Sequence, residues 1–448
     1  FPMEYALKER IGNPDLFVGR KQELDFFLGW IDNIKKELSQ STALLARRKM
    51  GKTALMQRLF NITFAKNNGV IPFYYEIQEG QLWSLDFSAN FFLTFIYQYI
   101  AFKTRDVDYL KSIPGSDFND AIEIAKKAGL DFLCKTIEKA ALAFREKDVG
   151  TLWEIARQAP HAIATQRNEF IVQMIDEFQF LNSTIYWDPS RLNLAHRLAG
   201  SYMGTAESKI APLLVSGSWV GWLMNLLIMM LPARFRFEPL GDLPPDEAVE
   251  MVFKYSRFQE IPVSDESAYL IASVTEGSPF YISALFRSRC PGLDLTTCEG
   301  LVKALEFETL APQGTIKNTW MEYIQTAFSK VNDRNAKRIV LYLCKNKHRE
   351  LTRKEIIDDL KLDLTDRELE KRMEALIRAD IVQQGQTNFD YRSVSDNIFD
   401  KVFRGVYQKE IDNFDIKEIA VEYDRSLTDH QKEYRRLQGQ LNALKGYY

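Results

Sequence analysis

The sequence predicts an α/β fold: a parallel sheet covered by helices, then a helical region, then a small three-helix unit with a hairpin. Three observations predict it. Short apolar runs at 42–46 (TALLA), 70–77 (VIPFYYEI), 170–175 (FIVQMI) and 213–215 (LLV) read as strands buried on both faces, as parallel strands are. Stretches with helical apolar spacing separate them, which is the βαβ pattern. From about Thr315 the character changes to helix, helix, helix and then a short alternating pair of segments.

The elements follow in order. A turn at Gly12-Asn13-Pro14-Asp15 precedes FVGR, and Phe26, Phe27, Trp30 and Ile31 recur at helical spacing, so a helix follows Gly19. The TALLA strand runs into RRKMGKT, and LMQRLFNITFAKN continues as a helix. Residues 85–165 read as mostly helical, with a break at Ile113-Pro114-Gly115-Ser116. The part from about 100 to 165 is an insert ahead of the FIVQMI strand. A helical stretch containing SRLNLAHRLAGSYM is expected next. Ala211 to Ala233 carries no charge and is long enough to span a bilayer. Ser216-Gly217-Ser218 breaks it, Asn225 sits mid-run and prolines lie near both ends, so it reads as strand, turn and buried helix, with no membrane partner. Residues 244–290 read as two or three helices. Arg334–Lys345, Thr352–Leu360 and Thr365–Ala379 read as three more, with Ile381–Gln384 pairing Phe389–Tyr391 around GQTN. That is the pattern of a winged helix-turn-helix. Lys409 to Tyr448 reads as a charged helix with no packed-domain content. The expected organisation is 1–240, 241–313, 314–410 and 411–448.

Composition excludes several classes. The chain has 448 residues, 46% hydrophobic and 27% charged, which is globular rather than disordered or fibrous. Lys and Arg number 58 against 61 Asp and Glu, so any nucleic-acid binding must come from a local patch. The winged-helix stretch does not supply one: Glu350 to Val382 holds seven basic residues against ten acidic. Cys134, Cys290, Cys298 and Cys344 form no CxxC pair and show no ligand spacing with the four histidines, which argues against a zinc site or disulfide framework. Scattered thiols and a start, FPMEYALKER, without a signal-peptide pattern lead to the expectation of a cytoplasmic protein.

The residues that carry chemistry begin with Ala46-Arg-Arg-Lys-Met-Gly51-Lys52-Thr53. A P-loop reads GxxxxGK[ST], and here Ala46 replaces the first Gly. Consecutive backbone N–H groups and a helix N-terminus make an anion cradle. Gly51 lets the backbone approach phosphate, Lys52 reaches the β/γ-phosphates and the Thr53 hydroxyl coordinates Mg²⁺. The nucleotide-contacting set on this loop is Arg48, Met50, Gly51, Lys52, Thr53 and Ala54. The second signal is FIVQMIDEFQ, a hydrophobic strand ending in two acids. Beside a P-loop it reads as a Walker B element, with Asp176 in the Mg²⁺ shell and Glu177 orienting or deprotonating the attacking water. Ser218, after the LLV strand, is placed to contact the γ-phosphate or the water. Arg234 or Arg236 reaches the γ-phosphate in cis or across a subunit interface. The bland alternatives are a solvated Ser-Gly turn and a solvated basic turn.

With Phe17-Val18-Gly19-Arg20 matching an hhGR motif, the RRxxGKT loop and the IDEFQ strand, the sequence resembles the STAND class of P-loop ATPases, and within it the archaeal-type ATPase branch, AAA+ relatives of the origin-recognition initiators. The resemblance covers roughly residues 14–290. It implies a helical lid at 241–313, and ATP or ADP with Mg²⁺ as cofactors. Phe17, Val18 and Arg20 would border the adenine and ribose. Gly277-Ser278-Pro279-Phe280 would be the GxP element of the lid, with Pro279 packed on the base; without the resemblance it is a helix N-terminus with Pro in the first turn. Ala46 and the helical insert depart from the family pattern. The function implied is a slow, regulated ATPase switch whose nucleotide state sets lid and winged-helix position, and through them self-association or binding of a protein partner. Two alternatives are an ATP-dependent protein that places its winged helix on duplex DNA and a scaffold that holds nucleotide without turnover.

Overall fold

The unbroken apolar runs are strands that lie inside the molecule with both faces covered. The computed structural model describes residues 5–113, 117–217, 220–331, 334–385, 387, 389–394, 396–412 and 417–445, and these divide into two units at Leu240/Gly241. The first unit opens with α1 (Lys21–Asp32), β1 (Thr42–Leu45), α2 (Lys52–Lys66) and β2 (Val70–Glu76). A two-residue strand, β3 (Leu82–Trp83), leads into α3 (Ser84–Thr104), α4 (Asp108–Lys111), α5 (Phe118–Lys127), α6 (Cys134–Arg145) and α7 (Val149–Arg167). Then come β4 (Phe170–Asp176), β5 (Ile185–Tyr186), β6 (Leu213–Gly217), α8 (Val220–Met230) and β7 (Arg236–Pro239).

The main sheet has the order β2-β4-β6-β1-β7, and every pairing in it is parallel. β1 and β6 are buried throughout, and β4 at all but its first residue. This is the burial that continuous apolar runs require. β7 is an exposed edge strand ending in Pro239, which suits an edge because proline cannot donate to a ladder. β3 and β5 form a separate parallel pair.

α3 is buried around almost its whole circumference, from Leu85 to Phe102. It packs on β2 and on α7. Both helices therefore belong to the layer that covers the sheet, and the added part is α4 to α6, shorter than the insert expected at 100–165. Pro114 to Ser116, the expected break, lie outside the described residues.

The helix expected around SRLNLAHRLAGSYM is not there. The chain instead makes 3₁₀ turns at Phe178–Asn182 and Ala199–Gly204. Asp188 carboxylate oxygens accept from the backbone N–H groups of Leu192 and Asn193 at 2.7–3.3 Å, and Arg191 sits at φ 59°. Side-chain capping of this kind competes with the helical ladder.

The second unit holds α9 (Pro245–Gln259), α10 (Asp265–Val274), α11 (Pro279–Phe286), α12 (Cys298–Leu310), α13 (Thr315–Val331) and α14 (Arg334–Lys345). β8 (Leu351–Thr352), α15 (Arg353–Leu360), α16 (Asp366–Arg378), β9 (Val382–Gln384) and β10 (Asp390–Ser393) follow. The three strands pair antiparallel in the order β8-β10-β9. Thr352 and Thr365 start α15 and α16 with capping boxes to Glu355 and Glu368. α17 (Asn397–Asp412) and α18 (Lys417–Lys445) end the chain. The first half of α18 is not a free tail, because Tyr423 and Leu427 are fully buried and Tyr434 meets the Tyr269 ring at 5.2 Å. Among the described residues no helix is long and apolar enough to cross a membrane.

Candidate nucleotide site

Strand register brings the candidate residues to one edge. Leu45 at the end of β1 pairs with Gly217 of β6, and Val215 pairs with Ile175 of β4. The loop after β1, Ser216 and the Asp176-Glu177 pair thus share the carboxyl ends of adjacent parallel strands. The chain leaves β1, passes β6 and β4, and returns as β2, so strand order reverses beside β1. Such a crevice is where open α/β sheets bind ligands.

The loop itself is shaped by two residues in the left-handed region, Lys49 at φ 67° and Gly51 at φ 83°. Gly51 caps α2, and a Cβ on it would meet nothing within 4 Å, so the conformation rather than space requires glycine. Lys52 and Thr53 follow in the first turn of α2, where free backbone N–H groups point at the loop. Ala46 is buried, Arg48 and Ala54 are half-buried, and the Met50 carbonyl accepts from Arg20 at 2.9 Å. Arg20 is thereby fixed beneath the loop, with Glu23 at 3.0 Å on its other arm. Val18 is buried, and Phe17 lies under the Arg58 guanidinium at 4.3 Å.

Asp176 is fully buried at the end of β4. Its Oδ2 accepts from the Thr53 hydroxyl at 2.5 Å and from the Tyr74 phenol at 3.5 Å. Its Oδ1 accepts from the Ser216 hydroxyl and from the Glu177 N–H at 2.9 Å, with Lys52 Nζ 3.8 Å away. A buried carboxylate needs such partners. Lys52 Nζ lies 3.0 Å from Glu177 Oε1. Burial alone would pull the Lys52 pKa down; the Asp176 and Glu177 charges outweigh it and leave the ammonium above its ordinary value. Burial, with the Asp176 charge second, pushes the Tyr74 phenol well up, so it stays a donor. Glu76, opposite Asp176 in the β2–β4 ladder, is pushed up by burial and by Asp176, while Arg10 at 2.8 Å opposes the shift.

The structure therefore brings together Lys52, Thr53, Asp176 and Glu177. It adds Ser216, Tyr74, Gln179 and Glu76, which sequence reading did not single out. Ser218 lies outside the described residues; the strand-end hydroxyl that touches the cluster belongs to Ser216. Arg234 and Arg236 are not brought there. Arg236 pairs in register with Thr42, three residues and about 10 Å before the phosphate end of β1. Its guanidinium pairs with Glu238 and lies over Phe26 at 5.1 Å. Arg234 donates to the carbonyls of Met203 and Pro232 at 3.2 and 2.9 Å. Both sit toward the opposite edge of the sheet, which corrects the expectation of a reach in cis. Pro279, in the second unit, is the first residue of α11. The preceding Gly277 has φ 74°, and a Cβ there would come within 2.2 Å of the Leu243 carbonyl. In the winged-helix part, Arg353 is held internally by Tyr391, Asp366 and Glu370 at 2.9, 3.0 and 2.7 Å, so it is not presented outward.

The donors that meet at the loop, a hydroxyl and a carboxylate, are hard oxygens. Among the described residues no three His, Cys, Asp or Glu side chains gather as a metal cage. A two-donor protein site of this kind fits Mg²⁺, which keeps waters and takes its remaining ligands from phosphate.

No protein-family model matches this chain, and no curated protein is significantly similar to it in sequence. Solved structures are similar. The Walker-type ATPase PABY2304 of Pyrococcus abyssi aligns with a TM-score of 0.53 at 14% identity, over 89% of this chain and 97% of that one. The fold is that of the P-loop NTPases. The Aeropyrum pernix ORC2 protein in its ADPNP–ADP complexes aligns at TM-score 0.45 and 12% identity, over 94% of this chain and 98% of that one. The Thermotoga maritima RuvB Holliday junction branch migration motor aligns at 0.36 and 13%, over 87% and 96%. The last two are too distant to carry an inference.

Proposed function

We propose that this chain is a Mg²⁺-dependent ATPase that works as a switch. The observation that carries the reading is the meeting of Lys52, Thr53, Asp176 and Glu177 at the carboxyl edge of a parallel sheet. Lys52 and the α2 N-terminus bind the triphosphate, with Arg48, Met50, Gly51 and Ala54 contributing loop contacts. Thr53 and Asp176 would hold Mg²⁺, which would neutralise phosphate charge. Glu177 accepts the proton of the attacking water as its oxygen bonds to the γ-phosphorus and the bond to the β-phosphate oxygen breaks, giving ADP and phosphate. Phe17, Val18 and Arg20 support the base and ribose end, Arg20 by holding the loop at Met50. Pro279, assigned to the base by family resemblance, and Ser218, assigned to the γ-phosphate or the water, remain part of this reading.

The switch rests on the Lys52–Glu177 pair. A ligand shifts a conformational equilibrium only through its differential affinity for the two states. The γ-phosphate competes with Glu177 for Lys52, so ATP and ADP leave the pair in different conditions. The elements at 241–313 and the winged helix are the proposed responders, with self-association or a protein partner as the output. Arg234 or Arg236, which does not reach the cluster in cis, retains only the role of a cation offered across a subunit interface. Duplex DNA is not part of the proposal, because the acidic excess of the winged-helix stretch and the internal use of Arg353 work against it.

The test is ATP hydrolysis and nucleotide binding by wild type, Lys52→Ala and Glu177→Gln, with molar mass measured in ATP and in ADP. Lys52→Ala binds ATP more weakly, and Glu177→Gln binds without turnover. Unchanged turnover in Glu177→Gln would overturn the assignment of Glu177. Equal mass in both nucleotides, with and without the other cell proteins, would overturn the switch.

A further inference from the structure

We infer that Gln179 is the positioning residue of Glu177, holding its carboxylate in place after nucleotide has drawn Lys52 away. The inference rests on the reading of Glu177 given above. Glu177 is at φ 57°, in the left-handed region, immediately after β4. That reversal starts the 3₁₀ turn Phe178–Asn182 and curls the chain so that the side chain two residues on returns to Glu177. Gln179 Nε2 then donates to Glu177 Oε2 at 2.5 Å, while Lys52 Nζ takes Oε1 at 3.0 Å. Each oxygen of one carboxylate thus has its own holder, and the two holders differ in kind. Lys52 is a mobile cation that phosphate will attract. Gln179 is neutral and fully buried, so an incoming triphosphate attracts it far less than it attracts the Lys52 cation.

Two observations argue that this contact is more than packing. Among the described residues no donor reaches Gln179 Oε1, although the atom is buried. A buried acceptor without a partner is unfavourable and rare, and such departures gather at functional sites. The amide cannot turn round to relieve it, because its oxygen would then face the carboxylate oxygen of Glu177. The second observation is Gly217 at the end of β6. A Cβ there would come within 2.2 Å of Gln179 Oε1 and 2.9 Å of Leu223 Cδ2, so a residue without a side chain makes the space the amide occupies. Losing the Gln179 contact as well as Lys52 would let the carboxylate shift relative to the water, and a displacement of about 1 Å in such geometry costs about a hundredfold in rate.

The experiment compares wild type, Gln179→Met, Glu177→Gln and the double variant in steady-state ATP hydrolysis, with ATP affinity and thermal midpoint measured alongside. Methionine keeps the volume and removes the donor. The expected result for Gln179→Met is a kcat lowered about ten- to a hundredfold with ATP affinity changed less than about threefold. The loss falls on kcat and leaves the KM for ATP near that of wild type, because the contact orients the carboxylate and does not bind nucleotide. In the Glu177→Gln background the same change has no further effect. Unchanged kcat in Gln179→Met, or a rise in KM that accounts for all of the loss, with Glu177→Gln inactive, overturns the inference and leaves the role of Glu177 standing. Activity retained in Glu177→Gln overturns both. If Gln179→Met does not fold, Gln179→Glu serves: the introduced carboxylate repels Glu177, so kcat falls with ATP affinity retained. Full kcat in that variant also overturns the inference.

Discussion

Lys52 Nζ sits 3.0 Å from Glu177 Oε1, so the cation expected to bind phosphate is paired with the carboxylate expected to activate water. The pair is largely screened from solvent, with side-chain exposures of 6% and 15%. Triphosphate must break it to gain Lys52. Removing the carboxylate charge removes that competition and also a repulsion toward the phosphates. Glu177→Gln is therefore expected to bind ATP several-fold more tightly than wild type, with ADP affinity changing less, since ADP lacks the γ-phosphate. Lys52→Ala is expected to weaken ATP binding by about 1.5–3 kcal/mol, the range for a hydrogen bond to a charged group. Titration calorimetry with the slow or inactive variants reads both. Weaker ATP binding in Glu177→Gln would show that the pair does not oppose nucleotide.

Ser216 and Gly217 are neighbours on β6 with separable jobs. The Ser216 hydroxyl donates to Asp176 Oδ1, and Asp176 is fully buried. Ser216→Ala leaves that carboxylate one donor short, which costs about 1–3 kcal/mol of folding stability. Gly217→Ala puts a methyl against the Gln179 amide and Leu223, both movable side chains. Its stability loss is expected to be no larger than that of Ser216→Ala, while its turnover falls further because the amide is displaced from Glu177. Denaturant midpoints and initial rates on the two variants give the comparison. A Gly217→Ala enzyme with full turnover would separate Gly217 from the holding of Glu177.

Glu76 makes stability depend on pH with a defined sign. Burial raises its pKa above the ordinary glutamate value, Asp176 raises it further, and Arg10 opposes; Glu177 also faces it. A carboxyl with a raised folded pKa binds its proton more readily folded than unfolded. Its contribution therefore favours the folded state at low pH and is lost as pH rises from the ordinary value through the raised one. Glu76→Gln removes this penalty. The ion pair lost with Arg10 is worth little, because Arg10 is 63% exposed. The variant is expected to melt above wild type at about pH 7, with the gain vanishing below about pH 4, where the wild-type carboxyl is protonated in both states. Thermal midpoints of both proteins across that range test the sign, and a gain that grew on acidification would refute it.

The sequence showed the chemistry wherever the physics was local. Lys52 and Thr53 are legible because glycine, lysine and a hydroxyl at a strand–helix junction make an anion cradle without any tertiary information. Asp176 and Glu177 are legible as acids at the end of a buried strand. Gln179 stood in the same run, yet its role depends on the left-handed backbone of Glu177, which no residue type announces there. Ser216 is the last residue but one of β6, and only its hydrogen bond to Asp176 picks it out. The arginines were misplaced because β7 is an exposed edge strand without an apolar pattern, so nothing in the sequence tied Arg236 to Thr42. The 178–205 segment misled for a related reason: its helical spacing is overruled by the carboxylate caps of Asp188.

Arg20 joins the FVGR segment to the loop by a path the motif alone does not reveal. Its guanidinium is almost fully buried, donates to the Met50 carbonyl at 2.9 Å and pairs with Glu23 at 3.0 Å. Its backbone is in the left-handed region, at φ 60°, at the N-cap of α1. The carbonyl it holds immediately precedes Gly51, the left-handed residue that shapes the proposed phosphate loop. Arg20→Ala leaves that carbonyl without its charged donor and Glu23 without its partner. Folding stability is expected to fall by about 1–3 kcal/mol, and ATP affinity by about tenfold because the loop is no longer preorganised. Arg20→Lys keeps the charge but not the forked donor, so it should recover less than half of the lost affinity. Affinity unchanged in Arg20→Ala, with the stability loss present, would make Arg20 a packing residue of α1 alone and leave the loop to be set by Lys49 and Gly51.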